Sequence, residues 1–280
     1  MRSGWIRGFT APWVIFSSFL KKIFIQRGLI RNFVVRDLKA RYVGSFMGLF
    51  WSVIHPIVLL VSYTFVFLVV FKQQPRPEDT GTTNFPLFLF CGILPWLFFQ
   101  DTLQRSSTVL IDNASLVTKT LFPSEILPLS ILLAACVNHI IGFAILLCVI
   151  FFTIGKVSLL ILLVPVYFFL LMLFTLGLSW FVSSLNVFIR DISQIITVVL
   201  TFWFWFTPIF YTANRFPKKL MFLVHWNPMA PVVIGYRDCL LRMKMPDLSV
   251  LAVLAGVSMA IFAAGGLFFR KTKREFVDVL

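Results

Sequence analysis

Few residues in the long apolar segments of this chain could carry acid–base chemistry. All 11 acidic residues lie in loops, at termini or at the edges of apolar segments, and Asp101 comes closest to the interior of one. His139, beside Asn138, is the only titratable candidate within such a segment apart from His55. A histidine without a carboxylate partner is more often a hydrogen-bonded packing residue than a catalytic one. Because membrane enzymes and proton-coupled carriers need ionisable groups in the membrane, both classes are disfavoured.

Sites for nucleotides, metals and disulfides are also poorly supported. The fragment Gly155-Lys156-Val157-Ser158 comes nearest to a phosphate-binding P-loop, but it lacks the upstream glycine and the spacing that cradle phosphates. The cysteines lie among apolar residues without CxxC or cysteine–histidine spacing, at Cys91, Cys136, Cys148 and Cys239. The sequence therefore predicts no ATP site, metal, cofactor or catalytic residue in this chain.

The composition places the chain in a lipid bilayer. Of its 280 residues 59% are hydrophobic, and the mean hydropathy of +0.94 exceeds what one soluble core could bury. Six apolar segments without Asp, Glu, Lys or Arg are candidate spans, at 50–71, 84–100, 126–155, 157–189, 192–214 and 248–269. We predict an all-α integral membrane protein with six transmembrane helices, in a domain at 43–270 between an N-terminal region 1–42 and a tail 271–280.

The positive charge is placed to meet a membrane surface rather than nucleic acid. The net charge is +14, but nine of the 25 Lys and Arg precede residue 42 and four more lie at 270–274, beside apolar segments. If the predicted spans alternate in direction, 16 Lys and Arg fall on the side of the termini and nine on the other. By the positive-inside rule, both termini are expected in the cytoplasm.

A basic amphipathic helix is predicted before the first span. Apolar residues recur there with helical spacing, at Phe16, Phe19, Leu20, Ile23 and Phe24. Lys21, Lys22 and Arg27 lie nearby, as is typical of a helix that lies on an anionic membrane surface. An ordinary charged flank without a special role is the alternative.

A second interfacial feature is predicted between the fifth and sixth spans. Residues 220–236 are uncharged and mostly apolar, but they are too few to cross and are interrupted by Asn227, Pro228 and Pro231. Broken helices at membrane depth persist only where protein or a water-filled cavity covers their free backbone groups. We therefore predict a re-entrant helical pair that helps to close the outer end of a pathway.

Aromatic residues are abundant, with 34 Phe and 8 Trp. Most are expected to form a belt at the lipid interface and to pack between helices. The alternative is that some line a wide pathway, where aromatic faces can stack on sugar rings. The candidates are Trp51, Tyr63, Trp203 and Trp205. Trp203 and Trp205 are two residues apart and cannot share one face of a helix.

Three stretches taken together resemble a known family of membrane proteins. The first comprises residues 36–42 with Gly44, Ser45, Gly48, Trp51 and Pro56, and His55 stands where an asparagine is expected. The second comprises Gly92, Pro95, Trp96, Asn113, Leu116, Lys119, Phe122, Pro123 and 125–128. The third comprises 186–192, 207–211, 227–229, Tyr236 and Arg237. In this order they resemble the permease subunits of type-2 ABC transporters that export lipid-linked polysaccharide, such as O-antigen and teichoic acid exporters.

The resemblance implies partners and a cargo. The chain would form a homodimer in the cytoplasmic membrane with two copies of a separate ATPase, which binds ATP and Mg²⁺. The implied cargo is an undecaprenyl-linked polysaccharide, with O-antigen as the first expectation and capsule or teichoic acid as the alternative. A membrane-embedded glycan-modifying enzyme remains as a different class, and it would need acids or histidines clustered at one membrane face. A passive channel is the third option.

The resemblance also implies three groups of site residues. ATPase coupling is assigned to a coupling helix and a turn, with Lys119, Phe122, Pro123, Glu125, Arg190 and Asp191. For this group the alternatives are an ordinary surface loop and simple bracing of helix ends. Contact with a lipid diphosphate, or with anionic membrane lipid alone, is assigned to Arg36, Lys39 and Arg41. The outer gate is assigned to Pro208, Tyr211, Asn227, Pro228 and Arg237.

Overall fold

The computed structural model describes residues 24–42, 50–72, 80–119, 122–156, 158–212 and 216–280, and these ranges contain helices and connecting turns but no strand. The helices are α1 Arg27–Tyr42, α2 Trp51–Thr64, α3 Phe85–Asp112, α4 Ala114–Lys119, α5 Ile126–Ile154, α6 Val164–Phe188, α7 Ile192–Phe206, α8 Met221–His225, α9 Met229–Arg237, α10 Leu248–Thr272 and α11 Phe276–Val279. The all-α prediction is confirmed for the described residues. The core of the predicted amphipathic helix, at 16–23, lies outside them.

Among the described residues, five helical stretches are long and apolar enough to cross a membrane. They are Val53–Val70, Phe85–Asp112, Ile126–Ile154, Leu159–Phe188 and Leu248–Thr272. The first continues α2 through a π-helical turn, Phe65–Val70, and the fourth joins a 3₁₀ turn, Leu159–Leu163, to α6. The chain is therefore a multi-pass membrane protein.

The remaining predicted span, 192–214, is a shorter helix than expected. Helix α7 has 15 residues and ends at Phe206, so it is about 22 Å long, less than the roughly 30 Å of hydrocarbon. Thr207 is extended, with ψ of 133°, because the proline at 208 disfavours helical geometry in the residue before it. The six-span count is not reached by length alone.

The second predicted span, 84–100, is longer than expected. Helix α3 continues for twelve residues to Asp112, so the region near Arg105 that was expected to be a loop is helical. One face of this extension lies against the protein, because its apolar Leu103, Val109 and Leu110 are buried together with the small polar Thr102, Ser106 and Ser107. The helix begins where Asn84 accepts a hydrogen bond from the backbone N–H of Leu87 at 3.3 Å.

Helices α3 and α6 pack together at the centre of the bundle, and α10 packs along α6. Most of α3 is buried, whereas α2 exposes Trp51, Ile57, Val58 and Val61 and keeps its other apolar side chains only partly buried, apart from Pro56. Gly177 in α6 faces Gly265 in α10 so closely that a Cβ on either glycine would collide with the backbone of the other helix. This close packing holds α6 against α10.

Candidate functional site

Charged side chains gather at the end of the bundle where α1 meets α3. Arg41 donates to Asp101 Oδ2 at 2.8 Å and its Nε lies 3.4 Å from Asp37 Oδ2. Arg105 completes the group through an ion pair with Asp37. We call Asp37, Arg41, Asp101 and Arg105 the ion-pair cluster. Burial raises the pKa of Asp37, and the positive charge of Arg41 partly offsets this effect.

The three residues predicted to contact a lipid phosphate have different surroundings. Arg41 belongs to the ion-pair cluster, so its guanidinium is already paired. Arg36 donates to Asn113 Oδ1 at 2.9 Å and lies over the ring of Phe33, with 4.3 Å to its centroid. Lys39 is exposed on α1, beside Arg31. The basic face of α1 is therefore available to an anionic head group mainly through Arg31 and Lys39.

The predicted coupling segment follows α3 directly. Asn113 separates α3 from α4, and Phe122 lies 5.4 Å from Phe33 between ring centroids. Phe122 is half-buried and does not project freely into solvent, because Phe33 of α1 lies alongside it. Glu125 accepts from Lys273 Nζ at 2.6 Å. Pro123 is half-buried, and of Lys119 the structure describes the backbone only.

The second predicted coupling element, Arg190 and Asp191, lies in the turn between α6 and α7. Both residues are exposed, and neither forms an ion pair with another residue of the described ranges. The turn is held by Asn186, whose Oδ1 accepts from the backbone N–H of Ser193 at 3.1 Å. Asn186 therefore braces the helix ends, and the two charged side chains point to solvent.

The aromatic pathway candidates divide into an inward and an outward group. Trp203 donates through Nε1 to Asn227 Oδ1 at 2.8 Å and meets Phe99 edge-on at 5.2 Å. Trp205 is 52% exposed on the other face of α7, as their two-residue spacing predicts. Tyr63 is half-buried and packs against Phe210 at 5.0 Å. Trp205 and Tyr63 remain candidates for a pathway, whereas Trp203 holds the protein together.

Trp51 borders a cavity between α2, α3 and α5. This cavity is also lined by His55, Asp101 and His139. His139 is 5% exposed, its Nε2 lies 3.0 Å from the hydroxyl of Tyr236, and its ring stacks on Phe168 at 4.1 Å. Asp101 is paired with Arg41. The cavity thus holds a packed histidine and a neutralised carboxylate, an arrangement that does not favour acid–base catalysis.

The predicted outer-gate residues meet at the opposite end of the bundle. Arg237 is 2% exposed and donates to the carbonyl oxygens of Phe88 at 3.2 Å, Pro208 at 2.5 Å and Ile209 at 2.5 Å. Its guanidinium also lies over the ring of Phe88, 3.5 Å from the centroid. We call Arg237 with Phe88, Pro208 and Ile209 the carbonyl clamp. It joins α9, the start of α3 and the turn after α7.

Asn227 strengthens the same end. Its Oδ1 accepts from Trp203 Nε1 at 2.8 Å and from the backbone N–H of Met229 at 2.9 Å, and its Nδ2 donates to Thr207 Oγ1 at 3.0 Å. Tyr211 donates to the carbonyl of Trp205 at 3.0 Å. Pro228 precedes α9 directly. Four of the predicted gate residues therefore lie where the end of α7 meets the segment leading into α9, and the fifth, Arg237, reaches the same turn from the end of α9.

Several residues that position these sites were given no role from the sequence. They are Asp37, Asp101, Arg105, Asn113, Lys273 and Phe88. The ion-pair cluster carries a recognisable signal, because Asp37 with Arg41 and Asp101 with Arg105 are two acid–base pairs spaced four residues apart. Phe88 contributes a backbone carbonyl, for which the side-chain sequence gives no signal. Within the described residues, no group of three or more His, Cys, Asp or Glu could hold a metal ion.

Comparison with known proteins gives a consistent result. The model of the family described as "ABC-2 type transporter" matches residues 29–241. An O-antigen export system permease protein RfbA of Myxococcus xanthus is 30% identical over 264 residues, which cover 92% of this chain and 98% of that protein. A protein of the same name from Klebsiella pneumoniae is 28% identical over 247 residues, which cover 88% of this chain and 92% of the relative. The matched family region runs from α1 to the turn after α9, and so includes the ion-pair cluster and the carbonyl clamp.

Proposed function

Because the chain belongs to the family of ABC-2 type transporters, we propose that it is the transmembrane subunit of an ATP-driven exporter of O-antigen polysaccharide. The observation that carries this proposal is the extent of the similarity, since the relatives named for O-antigen export align over nearly the whole chain. The family supplies membrane subunits of ABC transporters, so the energy comes from a separate ATPase. Capsule or teichoic acid is the alternative cargo within the family.

The proposed assembly is a homodimer of this chain with two copies of the ATPase in the cytoplasmic membrane. We place the end that carries the ion-pair cluster in the cytoplasm, together with both termini. Basic residues concentrate there, and Arg36, Lys39, Arg190 and Lys271 are exposed, as the positive-inside rule requires of a cytoplasmic face. ATP and Mg²⁺ bind to the ATPase and not to this chain.

The proposed mechanism uses the two ends of the bundle differently. Closure of the ATPase dimer acts on the segment 113–125 and on the turn at Arg190 and Asp191, which are the candidate coupling elements. Movement there reaches α1 through Asn113 and Phe122, which contact Arg36 and Phe33. The cargo is a lipid-linked polysaccharide, and its diphosphate meets the basic face of α1 at Arg31 and Lys39.

On the outer side, the carbonyl clamp and Asn227 hold the segment before α9 against the end of α7. The sugar chain passes the exposed aromatic side chains of α7, among them Trp205. Aromatic faces bind sugars by stacking without requiring one particular ring. A polymer can therefore slide along them.

The test is co-expression of this chain with the ATPase encoded beside it, followed by purification of the pair in nanodiscs. We expect the two chains to co-purify and ATP hydrolysis to depend on this chain. In cells that lack their own O-antigen export permease, the pair is expected to restore O-antigen to the cell surface. The proposal is rejected if no ATPase co-purifies. Co-purification with restored capsule or teichoic acid export, but not O-antigen export, would keep the transporter and change its cargo.

A further inference from the structure

The segment 273–280, which follows α10, folds back onto the end of the bundle that carries the ion-pair cluster. Lys273 pairs with Glu125, 2.6 Å from Nζ to Oε2, which ties the segment to the start of α5. Phe276 is fully buried, and its ring centroid lies 5.5 Å from that of Phe269 and 6.1 Å from that of Phe188. The short helix α11 also contacts α4 and α6.

These contacts connect two elements that are distant in sequence. Glu125 ends the candidate coupling segment 113–125, and Phe188 lies two residues before Arg190 in the candidate coupling turn. Segment 273–280 reaches both through side chains that are buried or ion-paired. It lies beyond the residues that the family model matches. Its contacts are therefore a feature of this chain that neither the family match nor the sequence pattern assigns to a role.

We propose that segment 273–280 is a third element of the surface that couples this chain to its ATPase. Lys273 and Phe276 are positioning residues, because they hold the segment 113–125 and the turn at Arg190 so that both move together when the ATPase closes. The inference rests on the proposed function, since it requires the ATPase as partner. The bound partner is the nucleotide-binding subunit itself.

The free side of α11 fits a protein groove better than a lipid surface. Val277 is 54% exposed and Val279 is 46% exposed, although this helix lies outside the apolar spans. Exposed apolar side chains in such a place are typical of an interaction site. The basic residues at 270–274 precede this part of the chain, but within 275–280 the charged side chains are Glu275 and Asp278. Both are exposed, and their negative charge disfavours insertion of α11 itself into an anionic membrane.

A charge exchange tests the positioning role. In nanodiscs with the co-expressed ATPase, Lys273→Glu and Glu125→Lys each place two like charges together. Each single variant is expected to lower ATP hydrolysis per retained ATPase about fivefold, which corresponds to a coupling free energy of about 1 kcal/mol between the two side chains. The double exchange is expected to restore the rate to within about twofold of the parent. Restoration identifies the pair, because a general loss of folding is not repaired by a second charge reversal.

The matched control is Lys271→Glu, which makes the same charge change two residues away. Lys271 is exposed and has no ion pair in the described part of the chain. We expect this variant to keep the parent rate. Phe276→Leu keeps an apolar side chain at this position, so it is expected to retain more ATP hydrolysis than Phe276→Ala. All variants are compared at equal amounts of monodisperse complex.

The outcomes separate this inference from the proposed function. If the parent chain retains no ATPase, the proposed function fails. If the parent retains an active ATPase but the double exchange does not restore hydrolysis, or Lys271→Glu is as damaging as Lys273→Glu, segment 273–280 has no positioning role. Equal loss of binding to anionic liposomes in both Lys variants, with hydrolysis unchanged, would make the segment a membrane anchor and would also overturn the inference.

Discussion

The ion-pair cluster and the carbonyl clamp both hold helices together through arginine, but they use it in different ways. In the ion-pair cluster, Arg41 and Arg105 bind carboxylates, and the four side chains keep between 17% and 38% of their surface exposed. In the carbonyl clamp, Arg237 is 2% exposed and ends on three backbone carbonyls. The first arrangement joins side chains to one another, whereas the second joins one side chain to the backbone.

This difference determines how easily each end can rearrange. A partly exposed ion pair contributes about 0 to 1 kcal/mol, and water can replace either partner at small cost. A buried carbonyl that loses its donor costs about 1 to 3 kcal/mol, because no water is present to replace it. The end that carries the ion-pair cluster is therefore suited to movement, while the carbonyl clamp is suited to holding the turn after α7 in place against α9 and the start of α3.

Loss of Arg237 should have the largest effect on stability. Arg237→Ala removes the donors of three buried carbonyls and leaves a cavity, so we expect the free energy of unfolding to fall by about 3 kcal/mol or more. Arg237→Lys cannot reproduce the forked geometry and is expected to recover only part of this loss. Denaturation in mixed micelles measures the change.

The matched control is Arg242→Ala, five residues further along the chain. Arg242 pairs with Asp238 at 2.9 Å and its side chain is 30% exposed, so its loss should cost at most about 1 kcal/mol. Equal losses for Arg237→Ala and Arg242→Ala would contradict the distinction between a buried clamp and an exposed pair.

Substitution of Asn227 also compares a buried hydrogen-bonded side chain with an exposed one, with a smaller expected loss of stability. Asn227→Ala leaves Trp203 Nε1 without its partner and removes the donor to Thr207, so we expect a loss of about 2 kcal/mol. Asn32→Ala, at an exposed position on α1, should change stability by less than about 0.5 kcal/mol. If the two variants unfold at the same denaturant concentration, Asn227 does not hold the end of α7.

The sequence predicted the helical membrane class and most helix positions because hydrophobic length and turn-forming residues are local signals. It predicted the opposite placement of Trp203 and Trp205 for the same reason. It did not predict the length of α3, because the apolar run ends near Gln100 while the helix continues on buried Leu103 and Leu110. Tertiary packing and not composition stabilises that extension.

The candidate site was predictable in part. The five residues predicted for the outer gate lie together, but the bonding of Arg237 depends on the backbone carbonyls of Phe88 and Ile209, which any residue could supply. Arg41 was assigned to lipid phosphate because a basic residue near a membrane commonly meets lipid. Its pairing with Asp101 across 60 residues could not be inferred from local spacing.

Within the ion-pair cluster, arginine and aspartate substitutions should differ. Arg41→Ala leaves Asp37 and Asp101 close together with one arginine, so we expect a loss of about 1 kcal/mol. Asp37→Asn should cost less, because burial raises the pKa of Asp37 and so already disfavours its ionised form. Denaturation near neutral pH compares the two variants, and a greater loss for Asp37→Asn would contradict this account.

The smallest effect on stability is expected for the turn at Arg190 and Asp191. Both side chains are exposed and unpaired within the described ranges, so Arg190→Ala with Asp191→Ala should change the free energy of unfolding by less than about 0.5 kcal/mol. The same double variant should nevertheless alter ATP hydrolysis by the co-purified ATPase, because these side chains are free to contact a partner.

Asn186→Ala is the matched control, since it removes the hydrogen bond that closes the turn and should lower stability by about 1 kcal/mol. Unchanged hydrolysis in the double variant would remove the turn from the coupling surface, whereas a large loss of stability would show that its charges brace the helix ends.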